Sequence, residues 1–191
     1  QFVVNAPLDQ VQAALKDAFR PTDSLRITYT PAVVHTGSQV VLLDAGSGGK
    51  LGPTTGMMSR NMAAAGIDPA SITTLVISHF HGDHISGIKG TDNSLAFPNA
   101  EILVPEAEWA YWMDEGEMSR APAGRKPAFE LVRSTFGDLG DRVRRYKADE
   151  EIIPGFTAVE AYGHTPGHTV LQISSGNDTV MALADTTNVP F

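Results

Sequence analysis

Residues 75–87 of the chain read L-V-I-S-H-F-H-G-D-H-I-S-G, and this stretch decides the fold. It contains four potential metal ligands: His79, His81, Asp83 and His84. The residues that lead into it, 72–78, are largely apolar and β-branched, which is typical of a buried strand. Gly82 and Gly87 then indicate a turn, so we predict that the ligands lie in a loop that a rigid sheet presents.

The spacing of these ligands favours two neighbouring positions for metal ions. Side chains two residues apart share one face of a strand, so His79 and His81 can approach one ion together. Asp83 and His84 lie beyond the bend and can reach a second position. Imidazoles with a carboxylate suit a borderline metal such as zinc, and manganese, iron and cobalt are also compatible. A merely solvated polar loop is the alternative, but three of the chain's 6 histidines fall here, which packing does not explain.

The composition limits the kinds of partner. The chain has 191 residues, of which 42% are hydrophobic and 19% charged, and this predicts a single globular domain over residues 1–191. A net charge of −8 and the lack of a long basic run disfavour a nucleic-acid partner and leave a small-molecule substrate. No apolar stretch approaches the roughly 18 residues of a membrane span, so no membrane contact is expected. The absence of cysteine excludes disulfides and thiolate ligands.

The N-terminus leaves the compartment open. The chain begins with Gln1 rather than methionine, so a processed N-terminus and a removed export signal are compatible with it. A periplasmic or secreted location is favoured over a cytoplasmic one, and a homodimer is compatible with the sequence.

The periodicity of apolar residues predicts an α/β chain. Helical spacing predicts helices over residues 7–19, 53–65, 105–115 and 128–136. Short apolar or alternating runs predict strands over residues 25–29, 32–35, 39–44, 72–78, 102–104, 142–147, 156–162, 169–174 and 179–184. Turn-forming residues predict a loop over 118–127 and a turn over 152–155.

Several side chains outside the first stretch have more than one interpretation. Asp44 ends a predicted strand and either holds a ligand histidine by a hydrogen bond or caps the following turn. Trp109 and Trp112 share one helix face and either anchor the helix or form an aromatic wall of a substrate pocket. His35 lies far in sequence from the other histidines and is interpreted as a structural or surface residue.

Two later segments complete a metal-binding pattern. G-H-T-P-G-H at 163–168 follows one predicted strand, and A-D-T at 184–186 follows another. Together with S-H-F-H-G-D-H at 78–84 and D-A-G at 44–46, these motifs resemble the metallo-β-lactamase superfamily, in matching order over nearly the whole chain. The chain is most similar to the methyl parathion hydrolase branch, on the stretches G-P-T-T-G at 52–56, F-P-N-A at 97–100, V-P-E-A-E at 104–108, W-M-D-E at 112–115 and A-P-A-G at 121–124.

The resemblance implies a metallo-β-lactamase-like αβ/βα sandwich of mixed β-sheets flanked by helices. It also implies a site for two divalent metal ions, with zinc the first choice. The ligands implied for one ion are His79, His81 and His164, those for the other are Asp83 and His84, and the bridging ligand is Asp185.

The resemblance assigns roles to residues around the ligands as well. His168 matches a histidine that is not normally a ligand in the family, and it is expected to orient its loop. Trp112 and Phe129 match aromatic pocket positions of the branch, and Leu51 stands where the branch has a phenylalanine. With Trp109, these residues are the substrate-binding candidates.

The chain departs from the family pattern in three respects. The second ion in the family needs a further C-terminal histidine, and none follows before Phe191. The N-terminal strand also looks shortened, so we expect a chain truncated at both ends, whose second ion is weak or missing. Lactonases of the family commonly have a tyrosine three residues after the bridging aspartate, and Asn188 in that position weakens an assignment as an acyl-homoserine-lactone lactonase.

These features together predict a hydrolase. Two cations lower the pKa of a bridging water from about 15.7 to about 7 and polarise a carbonyl or phosphoryl oxygen. A metal-bound hydroxide, oriented by Asp83 or Asp185, would then attack a neutral ester-like substrate: an organophosphate triester, an aryl ester or a lactone. The alternatives are an acyl-homoserine-lactone lactonase or β-lactamase, a mono-iron oxygenase of thiols or persulfides, and a catalytically incomplete metal-binding domain. The acidity of the chain disfavours a nuclease.

Overall fold

The computed structural model describes residue 3 and residues 5–187. The chain divides into two compact units, one of residues 1–28 with 187–191 and one of residues 29–186. In the first unit, helix α1 covers Leu8–Asp17, as the helical spacing of its apolar residues predicts. The second unit contains every other element and all the described candidate site residues. The single domain expected over residues 1–191 remains a prediction.

The second unit begins with a five-stranded sheet in the order β1 to β5. Its strands are β1 Ala32–His35, β2 Val40–Leu43, β3 Thr74–Val76, β4 Glu101–Pro105 and β5 Val143–Tyr146. β1 and β2 are antiparallel, and every later pair is parallel. The central strands are short continuous apolar runs, as expected of a sheet that is covered on both faces. Because β2 and β3 are parallel, Asp44 and Ser78 both leave the sheet at the same edge.

A second, fully antiparallel sheet follows in the chain. Its strands lie in sequence order: β6 Glu151–Ile153, β7 Phe156–Glu160, β8 Thr169–Ser175 and β9 Asp178–Ala182. The connection from β7 to β8 contains the segment 163–168, and Asp185 comes just after β9. Both later metal-type segments therefore leave this sheet at strand ends.

The helices of the second unit connect strands of the first sheet. They are α2 Met58–Ala64, α3 Gly82–Ile85, α4 Glu106–Trp112, α5 Glu115–Arg120 and α6 Lys126–Phe136. Short 3-10 turns cover Pro69–Ser71, Ser86–Ile88, Ala123–Arg125, Gly140–Arg142 and Ala184–Thr186. None of the helices in the described residues has the length and apolar character needed to cross a bilayer.

Alternating side chains of the first sheet build two separate cores. Leu42 and Leu75 point to one face, where they pack with helical residues such as Phe129 and Phe136. Their neighbours point to the opposite face, because successive side chains of a strand alternate. There Val41, Leu43, Val76 and Leu103 pack with Ile153, Phe156 and Leu171 of the second sheet. The two sheets thus lie face to face with helices outside the first, which is the predicted sandwich of mixed sheets.

Several predicted boundaries differ from the structure. Residues 25–29 form no strand, and β3 is shorter than the predicted 72–78. The helix predicted over 53–65 begins only at Met58, because Gly56 has a φ of 83° and lies directly against the backbone of Gly49. The left-handed backbone of Gly56, which favours glycine, cannot be part of a helix.

Three further segments are more regular than predicted. The turn after His81 is the short helix α3. Of the turn predicted over 152–155, residues 154–155 are a turn, whereas 151–153 form strand β6. The loop predicted over 118–127 starts inside α5, which is capped by Asp114 accepting a hydrogen bond from the amide of Glu117. Such a cap is a strong helix start signal, which the loop prediction overlooked.

Candidate metal centre

Three segments from two sheets bring the predicted ligands together. His79 follows β3, His81 immediately precedes α3, and Asp83 with His84 lies within α3. The other two sheet-end segments contribute one residue each: His164 from the β7–β8 connection and Asp185 from the 3-10 turn after β9. The ligands thus come from ends of a rigid framework, as a precise site requires.

The first donor set contains four side chains: His79, His81, His164 and Asp185. All their donor atoms lie within 4.8 Å of one another. His81 Nδ1 is 2.9 Å from His164 Nε2, and Asp185 Oδ2 is 3.3 Å from the same nitrogen. His79 Nε2 lies 4.0 Å from that carboxylate oxygen.

The second donor set contains three side chains and shares Asp185 with the first. His84 Nε2 is 3.3 Å from Asp185 Oδ1 and 3.6 Å from Asp83 Oδ2. The two carboxylate oxygens of Asp185 therefore face different donor sets. That arrangement corresponds to the bridging position which the family resemblance implies for Asp185.

One buried nitrogen tests whether these residues fit a metal ion. His79 Nε2 is buried and has no hydrogen-bond partner among the described residues. An unpaired buried polar atom is costly, whereas a cation would be a suitable partner for its lone pair. Donor atoms arranged tetrahedrally around zinc are separated by about 3.3 Å, close to the observed contacts of Asp185. The residues present fit a divalent metal ion.

A hydrogen-bond relay fixes which nitrogen of His79 is free. The Ser78 hydroxyl lies 2.9 Å from Asp44 Oδ2 and 3.0 Å from His79 Nδ1. Because the carboxylate only accepts, the hydroxyl donates to Asp44 and accepts from His79 Nδ1–H. Nε2 of His79 is then left unprotonated and points toward the other ligands, as metal binding requires.

Asp44 also contacts a histidine of the second donor set. Its Oδ1 accepts the Ser78 amide at 2.8 Å, and its Oδ2 lies 2.9 Å from His84 Nδ1. Asp44 thus contacts His84, and its role of holding a ligand histidine remains a prediction. The residue holds a left-handed φ of 57°, uncommon for a residue other than glycine, which places its carboxylate between the two donor sets.

The electrostatic field differs between the two sets. Burial and the neighbouring imidazoles keep the pKa of His79 far below its ordinary value, and burial with His164 and His84 lowers the pKa of His81 to about 4. Burial would also lower the pKa of His84, but Asp44, Asp185 and Asp83 outweigh it and raise that pKa to about 10. The carboxylates that stabilise a proton on His84 would also stabilise a metal cation there.

Both ring nitrogens of His168 form hydrogen bonds with backbone groups. Nδ1 lies 3.1 Å from the carbonyl oxygen of Ala161, and Nε2 accepts the amide of Asp185 at 3.1 Å. Burial, with the nearby imidazole of His164, lowers the pKa of its ring. The ring thus contacts the backbone of Asp185, and its role in orienting the loop remains a prediction.

The predicted pocket aromatics are packed into the core. Trp112 is 3% exposed and Phe129 is 0% exposed, and their ring centroids lie 4.7 Å apart. The edge of Trp112 faces His81 at 6.4 Å. Trp109 instead contacts Phe136 and the guanidinium of Arg145, which are contacts that anchor the helix. The substrate-binding roles of these aromatic residues remain predictions.

Leu51 differs from the aromatic candidates because it is open to solvent. Its side chain is 49% exposed, and one methyl lies 3.9 Å from the position of a Cβ atom on Gly82. It therefore borders the ligand loop at the surface. Asn188 and Phe191, on which two sequence arguments depend, lie outside the described residues.

Two residues near the predicted ligands, Glu108 and Tyr29, are not indicated as site residues by any motif of the sequence. Glu108 is fully buried behind the ligand loops, although its sequence position suggests only an acidic residue in the first turn of a helix. Tyr29 has a pKa that burial raises, and the charges of Asp83 and Asp185 raise it further, so its phenol lies within electrostatic reach of the second set. For Glu108, a glutamate four residues before a tryptophan is a weak sign of a buried hydrogen bond between the two side chains. For Tyr29, no local sequence pattern indicates a position near the site.

Comparison with known proteins gives a match over most of the chain. Residues 30–191 match the model of the metallo-beta-lactamase superfamily. Among curated relatives, the chain is 36% identical over 73 residues to a ribonuclease Z of Methanothermobacter thermautotrophicus, and 27% identical over 110 residues to an N-acyl homoserine lactonase of a Bacillus species. These matches cover 38% and 58% of this chain, and 21% and 36% of the relatives.

Two solved structures share the fold over nearly all of the chain. A structure of the hydrolase AbOPH of the beta lactamase superfamily matches with a TM-score of 0.84 and 25% identity, over 94% of this chain and 63% of that one. AidC, described as a dizinc quorum-quenching lactonase, matches with a TM-score of 0.84 and 27% identity, over 92% of this chain and 62% of that one. The chain thus spans less than two thirds of either structure, and the predicted α/β fold is confirmed.

Proposed function

The chain belongs to the metallo-β-lactamase superfamily, and from that premise we propose that it is part of a metal-dependent hydrolase with a binuclear site. The substrate class that we propose is a small, neutral, ester-like molecule: an organophosphate triester, an aryl ester or a lactone. Zinc is the metal that suits a donor set of imidazoles and carboxylates best, with manganese, cobalt or iron as the alternatives.

One observation carries the binuclear proposal. The two oxygens of Asp185 are each 3.3 Å from a histidine nitrogen, one from His84 and the other from His164. A carboxylate shared in this way would hold two cations side by side. Such a pair, when bound, lowers the pKa of a water molecule and stabilises negative charge on a carbonyl or phosphoryl oxygen.

The side chains around the two donor sets orient the predicted ligands and leave one side of the site open to solvent. His79 is held by the Ser78 relay and His84 by Asp44, so both imidazoles present a fixed nitrogen. Asp83 is partly exposed, so its carboxylate can accept a proton or a hydrogen bond from a reacting water. His164 and Leu51 are exposed, and we infer that substrate approaches over them.

The finer assignment that we propose is the methyl parathion hydrolase branch. The quoted stretches outside the ligands support it, and the structural match to a hydrolase, AbOPH, is compatible with it. A lactonase is the second candidate, because AidC and the Bacillus N-acyl homoserine lactonase are both similar to this chain. Kinetics on a phosphotriester and on an acyl lactone, measured side by side, would separate these two candidates.

The deciding experiment compares kcat/KM of the metal-loaded protein on a phosphotriester and on an acyl lactone. A strong preference for the phosphotriester would support the branch assignment. A strong preference for the lactone would favour the second candidate. His79→Ala and Asp185→Ala should each abolish turnover, with His35→Ala as a control because His35 is an exposed residue of β1. Retained turnover in purified, metal-treated His79→Ala protein would overturn the proposal.

Nucleic acid is not part of the proposed function. The similarity to ribonuclease Z covers 38% of this chain, whereas the net charge of −8 opposes binding to a phosphate backbone. We also propose a homodimer and an exported location, which gel filtration and fractionation would test. Metal analysis that found one iron per chain would instead favour the thiol or persulfide oxygenase.

A further inference from the structure

Glu108 is a carboxylate buried behind the candidate metal centre, and its side chain is 0% exposed. It accepts hydrogen bonds from three N–H groups. Oε2 accepts the amide of Phe80 at 2.8 Å and the indole Nε1–H of Trp112 at 2.9 Å, and Oε1 accepts the amide of Gly167 at 2.7 Å. Three N–H donors of this kind suit a buried carboxylate, which only accepts hydrogen bonds when ionised.

The three donors belong to segments that matter for the site. Phe80 lies between His79 and His81, and Gly167 lies between His164 and His168. Both amides reach the same carboxylate, although they are 28 and 59 residues from it in sequence. Glu108 therefore connects the two loops that supply all three histidines of the first donor set.

The third donor connects the carboxylate to the aromatic residues. Trp112 lies one helical turn after Glu108 on α4, and its indole contacts the ring of His81 edge-on at 6.4 Å. The orientation of this ring is fixed by the hydrogen bond to Oε2. A shift of the carboxylate would thus move Trp112 and the first ligand loop together.

Close packing makes the contact with the second loop specific. A Cβ atom on Gly167 would collide with the amide nitrogen of Glu108 and stand 2.8 Å from the carbonyl carbon of Ala107. Glycine at this position therefore lets the 163–168 loop approach α4 closely enough for the 2.7 Å bond. The carboxylate and the glycine act as one contact between the helix and the loop.

We propose that Glu108 is a positioning residue that sets the separation of the two ligand loops, and hence the affinity of the first donor set for its metal ion. The inference rests on the metal-binding part of the proposed function and is independent of the substrate. No hydrogen bond among the described residues joins Glu108 to Asp83 or His84. We therefore expect its effect to be larger on the first ion than on the second.

A glutamine at position 108 would preserve the shape but not the bonding. A carboxamide has one oxygen acceptor, and its NH₂ group only donates. In Glu108→Gln either the amide of Gly167, or the pair from Phe80 and Trp112, would face another donor. One ligand loop must then move, and the loss of such an outer hydrogen bond typically weakens metal binding about 10–100-fold.

The experiment is a cobalt titration of the full chain, followed by visible absorption and by metal content per chain. We expect Glu108→Gln to weaken the first ion about 10–100-fold and to change its cobalt spectrum, with the second ion little affected. Gly167→Ala should act in the same direction by a different route, because it displaces the loop and leaves the carboxylate intact. Glu106→Gln, an exposed residue in the first turn of the same helix, is the matched control and should titrate as the wild type does.

Two results would overturn the inference. One is a wild-type cobalt titration in folded Glu108→Gln protein. The other is equal weakening of both ions together with a lowered melting temperature, which a merely structural role would produce. Because metal affinity is measured without substrate, a wild-type protein that binds metal but cleaves no ester would refute the proposed hydrolase function and leave this test valid.

Discussion

The ring of His168 accepts a hydrogen bond from the backbone amide of Asp185, with 3.1 Å between the two nitrogens. Its other nitrogen lies 3.1 Å from the carbonyl oxygen of Ala161, just after β7. The ring thus joins the end of one strand to the residue that serves both donor sets. If Asp185 holds metal ions as proposed, His168 would act on the site through the backbone of a ligand.

His168→Ala should weaken metal binding without removing a ligand. It leaves the amide of Asp185 and the carbonyl of Ala161 without this partner, each at a cost of about 1–3 kcal/mol when buried. We expect affinity for metal to fall about 10–100-fold, as measured by zinc titration against a chromophoric chelator. His35→Ala removes an exposed histidine and should bind as the wild type does. Unchanged affinity in His168→Ala would show that Asp185 is positioned by other contacts.

Asp83 and Asp185 should differ in how many ions they affect. Asp83 belongs to the second donor set alone, whereas Asp185 belongs to both. Asp83→Asn should therefore reduce binding of the second ion only, and Asp185→Asn should weaken both. We expect the first ion to bind more tightly in the wild type, because its set has four donors and the other has three. Zinc content per chain after dialysis checks this, and identical losses in the two variants would contradict the shared position.

The part of the candidate site formed by residues 79–84 was predictable from sequence, because its predicted ligands are neighbours along the chain. His79, His81, Asp83 and His84 follow a buried apolar strand, and the strand end alone determines that they lie together. His164 and Asp185 come from another sheet, and only the resemblance to a family joined them to the first group. The number of residues between two motifs does not indicate whether the strand ends that present them lie close together in the fold.

The buried position of Glu108 could not be predicted from the residues around it in the sequence. Acidic residues in the first turn of a helix are common at the surface, because they interact favourably with the helix dipole. The buried position of this one depends on amides 28 and 59 residues away. The missed strand β6 has a similar origin: Pro154-Gly155 form a turn as predicted, but the residues before it belong to a strand because Glu151 and Ile153 pair with β7.

Removal of metal should lower the melting temperature. A ligand that binds only the folded state adds about 2.7 kcal/mol per site at a free concentration 100 times its dissociation constant. For a chain of this size each kcal/mol corresponds to about 2–4 °C, so calorimetry should find a clear decrease after treatment with a chelator. His79→Ala should show a smaller decrease, because the first donor set is already damaged. An equal decrease in both proteins would mean that the metal binds elsewhere.

Tyr146 should stabilise the contact between the two sheets. Its buried hydroxyl donates to the carbonyl oxygen of Ile77 at 2.8 Å and lies 2.7 Å from the Thr169 hydroxyl. Burial raises the pKa of this phenol, so it stays protonated. Tyr146→Phe should cost about 1–3 kcal/mol in the free energy of unfolding, measured in urea. Tyr162→Phe, at a residue that is 45% exposed, should change it by less than about 0.5 kcal/mol.

Gly87 should tolerate no side chain, because it lies against the loop that contains Asp44. Its amide donates to the carbonyl oxygen of Gly46 at 2.9 Å, and a Cβ atom would collide with the carbonyl oxygen of Ala45. That oxygen belongs to rigid backbone, so Gly87→Ala must separate the 3-10 turn Ser86–Ile88, which follows α3, from the 44–46 loop. We expect overpacking to cost about 1–3 kcal/mol and the second metal ion to bind more weakly, since Asp44 holds His84.

Gly124→Ala is the matched control for that substitution, since nothing lies within 4 Å of its Cβ position and its φ is not in the left-handed region. The unfolded chain loses freedom in the same way in both variants, so their difference measures the collision alone. Urea unfolding should give a lower free energy of unfolding for Gly87→Ala than for Gly124→Ala, and zinc titration should give weaker binding of the second ion. If Gly87→Ala unfolds and binds zinc as Gly124→Ala does, then the 44–46 loop adjusts freely, and the position of Asp44 is not determined by its contact with the 3-10 turn Ser86–Ile88.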